Sequence, residues 1–225
     1  MADLVPDPPQ GSRRGASYLA ARSAHALSSL KIVRVGRPLS RELVQTVAER
    51  IRSTLAEAVR SLEIVDYQPP RVERIEAGLL TQVLDQEVGG HILGITDADL
   101  VDGSGEDFFD FMFGGKDNRN HVAVVSTRRI GSRDPGRFIA RLLKVSLHEL
   151  GHNFGLVHHY GFVPAAAGGG YCPMTKGDFN RHGERSYVRV VIDGRGFGFC
   201  ESCRQLIRRV AGSVQTRPGC VAPSR

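Results

Sequence analysis

His148-Glu149-Leu150-Gly151-His152-Asn153-Phe154-Gly155-Leu156-Val157-His158 is the stretch from which the rest of this sequence is read. It fits H-E-x-x-H-x-x-G-x-x-H at every fixed position. His148 and His152 are four residues apart, so a helix stacks them on one face. Two imidazoles at that separation can hold one zinc ion. Glu149 follows the first of them, where a carboxylate can reach a water on the metal. Gly155 stands where the helix must stop and the chain turn back, a place that often needs positive φ. The turn brings in His158 as a third ligand. Three histidines leave the fourth tetrahedral position open, which is the arrangement of a catalytic zinc.

The residues before this run predict the helix that carries it. Phe138, Ile139, Leu142, Leu143 and Val145 have the spacing of a partly buried helix. Asp134-Pro135 is its start signal.

Working outward, the 225 residues suit one domain with a sizeable core. Apolar content of 41% and charged content of 24% are ordinary for a soluble globular chain. No run approaches the roughly 18 apolar residues of a membrane span, so no membrane partner is expected. The net charge of +6 comes from scattered arginines without an aromatic-interleaved basic stripe, so no specific nucleic-acid partner is expected either. Residues 1–30 are rich in Pro, Gly, Ser, Ala and Arg and read as a flexible extension. Arg22 and His25 interrupt the apolar region that an export signal after Arg13-Arg14 would need. A cytoplasmic monomer with reduced thiols is the expectation.

Strands are predicted at Lys31–Gly36, Leu62–Val65, His91–Thr96 and His121–Thr127, and a short aromatic one at Phe108–Phe113. The His121–Thr127 run is apolar on both faces and therefore central. Helices are predicted at 41–58 and Ala77–Glu87. Alternating strands and helices predict an α/β sandwich with a mostly parallel sheet.

The cysteines are Cys172, Cys200, Cys203 and Cys220. Cys200-Glu201-Ser202-Cys203 comes late, after the Gly-rich 194–198, so a zinc knuckle suits it better than a thioredoxin-type redox pair. Cys172 and His159 are the best further ligands, with His182 and Cys220 as weaker ones. A His-Cys-Cys-Cys set is a structural zinc composition. A disulfide or free thiols are the alternative.

The three-histidine run, Cys172-Pro173-Met174 and Cys200-x-x-Cys203 together resemble the archaemetzincins. Segments His91–Leu100, Phe111–Gly114 and Val122–Arg129 also resemble that family ahead of its zinc helix, so the likeness covers residues 31–210. It implies a metzincin-like fold: a twisted, mixed, mostly parallel sheet with a backing helix, an active-site helix and a small zinc-bound C-terminal subdomain. The expected division is 1–30, 31–158 and 159–225. The resemblance implies a Met-turn at Met174 and a second, structural zinc on four cysteines. This chain has His159 where the family has its first structural cysteine. It also has a long spacer, Ala165–Gly170, which could form a loop over the cleft.

The expected function is zinc-dependent peptide hydrolysis. His148, His152 and His158 hold the metal and Glu149 is the general base. The substrate is an extended peptide or protein paired with an edge strand at Phe111-Met112-Phe113-Gly114. The rival is a catalytically weak, zinc-stabilised binding or scaffold protein. Whether the N-terminal extension ligates the zinc through Asp3 or Asp7 is a further option.

Overall fold

The computed structural model describes residues 29–36, 39–70, 72–103, 112–117, 121–177 and 179–213; for 179–182 and 213 only the backbone is described. Most of the expected extension 1–30, with Asp3 and Asp7, lies outside these residues, as do Phe111, the Phe108–Phe111 part of the aromatic strand, and Cys220.

Five strands form the main sheet in the order β2 (Ser61–Tyr67), β1 (Ser29–Val35), β4 (Ile92–Thr96), β7 (Val122–Ser126) and β6 (Gly114–Lys116). All neighbours run parallel except β6 against β7. The α/β class and the mostly parallel sheet therefore match expectation. β4 and β7 are buried at every residue, as central strands must be when both faces are covered.

Two short strands, β3 (Arg74–Glu76) and β5 (Asp99–Val101), pair in a separate ribbon. Neither is visible in the sequence, because three residues are too few to show an alternation. Of the expected aromatic strand only Met112 and Phe113 are described, and neither lies in a named strand. Met112 bridges Leu100, and regular pairing with β7 starts at Gly114, so of the three described residues named for the edge, Met112, Phe113 and Gly114, only Gly114 lies in β6.

One face of the sheet packs on α1 (Arg41–Thr54) and α3 (Pro135–Asn153), through Val44, Val47 and Ile51 and through Leu142, Leu143 and Leu150. The other face packs on α2 (Ala77–Glu87) through Leu80 and Leu84. A Cβ at Gly94 of β4 would lie 2.6 Å from Leu84 Cδ1, so glycine there lets α2 sit close. The Ser40 hydroxyl caps α1 by accepting from the Leu43 N–H. That helix ends at Thr54 rather than at 58, and the chain turns so that Leu55, Ala58 and Val59 enter the core.

Beyond α3 the chain forms α4 (Phe179–Tyr187), broken at Gly183, then a π-helical turn at Val188–Ile192 and α5 (Glu201–Ser213). These later elements share one continuous core with the sheet: Val191, Ile192, Phe199 and Ile207 belong to the same cluster as Leu30 and Leu93. A paired buried charge ties them to α3. Arg141 grips Asp193 by two bonds of 2.7 Å, and Lys144 donates to the Asp193 carbonyl at 2.6 Å. Among the described residues, no helix is long and apolar enough to cross a membrane.

Candidate metal centre

Helix α3 starts where expected: the Asp134 carboxylate accepts from the N–H groups of Gly136 and Arg137, and Pro135 occupies the first turn. Its end is a Schellman turn. Leu156 N–H reaches the Gly151 carbonyl at 3.0 Å, Gly155 N–H reaches His152 at 2.8 Å, and Gly155 has φ +79°. The reversal brings His158 back over the helix.

Nε2 of His158 lies 3.2 Å from Nε2 of His148 and 3.0 Å from Nε2 of His152. Three nitrogens around one tetrahedral zinc are spaced by ~3.3 Å, given zinc–nitrogen bonds near 2.0–2.1 Å, so the trio fits that ion. The outer nitrogens are anchored as well. His148 Nδ1 lies 2.7 Å from the Pro173 carbonyl, and His152 Nδ1 lies 2.9 Å from that of Leu156. A carbonyl can only accept, so each Nδ1 carries the proton and each Nε2 turns a lone pair inward. Burial lowers the pKa of all three rings, that of His158 to about 4, which keeps them neutral and able to ligate.

Glu149 is 7% exposed and lies directly against β6. A Cβ at Gly114 would stand 2.6 Å from Glu149 Cγ and 2.8 Å from Oε1, so the wall beside this carboxylate has room only for glycine. Burial raises the Glu149 pKa to about 7, against the pull of Arg195 and Lys116. A dication held by the histidines acts in the opposite direction. Gly114→Val is expected to displace the carboxylate and lower turnover at least about tenfold. Circular dichroism and zinc content should stay close to wild type. Unchanged turnover would show that the contact is unimportant.

Met174 is fully buried, and a Cβ at Gly151 would lie 2.3 Å from its sulfur. The thioether thus fits against the glycine between the first two histidines. The chain leaving His158 is joined to this turn by main-chain bonds, His159 N–H to Met174 O and Lys176 N–H to His159 O, both 2.9 Å.

His158 and His159 serve different clusters, as successive residues of an extended chain can. His159 Nε2 is 3.3 Å from both Cys200 Sγ and Cys203 Sγ, and Cys172 Sγ is 3.9 Å from Cys203 Sγ. Ligands of a tetrahedral zinc with bonds near 2.3 Å to sulfur are about 3.5–3.8 Å apart, so these four fit a closed site. The bond from the Cys203 thiol draws the Cys172 pKa down to about 5. Of the weaker candidates, His182 has only its backbone described.

A cleft of about 500 Å³ opens on the histidines. Gly114, Lys116, Lys176, Tyr187 and Arg195 line it, and apart from Gly114 none of these stood out in the sequence. The spacer Ala165–Gly170 does not line it. It packs on Gly194–Phe199 instead, with Ala166 N–H bonded to Phe199 O and Tyr171 bonded through its backbone to Gly194 and Gly196. The loop expected over the active site is thus placed elsewhere.

The family model for peptidase family M54 matches residues 51–161, which include the whole three-histidine run. An archaemetzincin of Methanopyrus kandleri is 31% identical over 118 residues, covering 52% of this chain and 55% of that protein. One of Aeropyrum pernix is 34% identical over 119 residues, 52% of each. The chain is similar to the archaemetzincins of peptidase family M54. It spans about half the length of the curated relatives it matches. The fold extends the likeness further. The solved archaemetzincin of M. kandleri superposes with a TM-score of 0.59 at 23% identity, over 84% of this chain and 97% of that one. That of Archaeoglobus fulgidus, complexed with malonate, gives 0.55 at 18%, over 79% and 99%. The family match stops short of Cys172, Cys200 and Cys203.

Proposed function

We propose that this chain is a zinc-dependent metallopeptidase. The observation that carries the reading is the convergence of His148, His152 and His158 at 3.0–3.2 Å, with the buried Glu149 lining the same cleft. The three Nε2 atoms hold the ion. Bound there, zinc supplies Lewis acidity to the scissile carbonyl and makes water a stronger acid.

Glu149 accepts the proton of the attacking water on a carboxylate oxygen and hands it to the departing amine. Its raised pKa suits both halves of that transfer. β6, at the edge of the described sheet and in contact with Glu149, offers backbone groups to which an extended peptide can add as a further strand. Met174 forms the apolar floor that keeps the ligand pair His148 and His152 in place. His159, Cys172, Cys200 and Cys203 hold a second, structural zinc, so the folded chain carries two ions. Three thiol ligands need reduced sulfur, which suits the cytoplasm.

Peptide hydrolysis tests this reading. Activity is expected on an unstructured peptide substrate, with complete loss in a zinc chelator and recovery on adding zinc. Chelator-insensitive hydrolysis, or none at full zinc occupancy, would leave a zinc-stabilised binding protein.

A further inference from the structure

Arg195 is the most buried arginine described, at 4% exposure, and it lies on the wall of the cleft. Its Nε and Nη2 donate to the Thr175 carbonyl at 3.0 and 2.7 Å. A carbonyl anchors the guanidinium without neutralising it. The other partly buried arginines are neutralised. Arg129 has two bonds to the Asp99 carboxylate, and Arg141 has two to Asp193. Among the described residues, Arg195 has no carboxylate within ion-pairing distance, although a buried charge ordinarily requires one.

The surroundings have the same sign. Lys116 and Lys176 stand exposed on the lining, and the described carboxylates there are Glu149 and Asp102. Glu149 and Arg195 favour each other's charged form, but no ion pair joins them, and the peptidase reading assigns Glu149 to proton transfer. The cleft that Arg195 lines also has the buried apolar side chains of Val145 and Ile192 and the largely buried Tyr187. An apolar wall around one planar cation matches a ligand that brings a carboxylate on a short aliphatic stem.

We propose that Arg195 is the receptor for a substrate carboxylate, so that the cleft selects peptides with an acidic residue at one defined position. The proposal rests on the peptidase reading for the nature of the ligand. Arg195 acts here as a specificity residue, with its anchor to Thr175 holding the fork in place for a charge-assisted bond.

The test uses fluorescein-labelled octapeptides that carry a single Glu at each position in turn, with matched Gln peptides. Binding is read by anisotropy on zinc-loaded, full-length Glu149→Gln protein, and cleavage on the wild type. At one position Glu should bind at least about tenfold tighter than Gln. That preference should fall below about twofold in Arg195→Met, whose uncharged side chain cannot form the bond. If Arg195→Met fails to fold, Arg195→Lys decides, because a point charge lacks the planar fork and should reduce the preference at that position by at least about threefold. Equal binding of Glu and Gln peptides everywhere, or a preference untouched by either variant, overturns the proposal. Selective binding without cleavage would sink the peptidase reading and leave the receptor standing. Cleavage without any Glu preference would do the reverse.

Discussion

Replacing Glu149 by Gln is expected to lower peptide hydrolysis by about 10²–10⁴-fold while zinc content stays at the wild-type level. The amide has the shape of the carboxylate, so the contact with Gly114 and the helix face are preserved. It cannot accept the proton of the attacking water, and it has none of the basicity that burial gives the acid. The three Nε2 atoms are untouched, so the metal remains bound. Elemental analysis and steady-state kinetics on the same preparation check both halves. A variant that keeps zinc and more than a third of wild-type kcat would remove Glu149 from the chemistry. One that loses zinc as well would make it a structural support for the trio.

Cys200→Ser is expected to reduce the zinc content from two ions per chain to one or fewer, and to lower the melting temperature by more than about 10 °C. The site joins His159, Cys172, Cys200 and Cys203, which come from three separate segments of the chain. A serine oxygen is a poorer zinc ligand than a thiolate. The damage should also spread to the catalytic trio. His159 is hydrogen-bonded through its backbone to Met174, and Met174 packs against Gly151. Affinity for the first ion should therefore drop too, seen as easier removal by a chelator. Two zinc ions retained at an unchanged melting temperature would show that the four residues do not share a metal.

How far the sequence could be read depends on how local each signal is. α2 was legible to the residue, because Leu80 and Leu84 repeat at helical spacing between clear boundaries. The central strands β4 and β7 were legible as apolar runs. The histidine trio was legible because its ligands span only one helix and the turn after it. The second cluster could be proposed from residue types and the C-x-x-C spacing, although its members are up to 44 residues apart. Arg195 could not be found in this way. Its meaning depends on the lack of an ion-paired carboxylate among the described residues, and only the folded chain shows which carboxylates come near. The signal available was an arginine between two glycines, Gly194 and Gly196. The described edge strand at Gly114–Lys116 escaped the sequence for a similar reason. An aromatic run looks strand-like by composition, whereas two glycines do not, yet only glycine fits beside Glu149.

The spacer between the third histidine and Met174 packs glycine on glycine. A Cβ at Gly196 would lie 2.2 Å from the Gly169 carbonyl, and one at Gly170 would lie 2.7 Å from the Gly194 carbonyl. Gly161, near the start of the same segment, has open space around it. Such a segment responds differently to two kinds of change. Extra residues at its free end can bulge into solvent at the small entropic cost of a longer loop. A single methyl on its inner face has nowhere to go. For protein engineering the safe graft point on this molecule is therefore at Gly161, where a tag or a recognition loop can be inserted, while alanine substitution at 170 or 196 would pry open the seam.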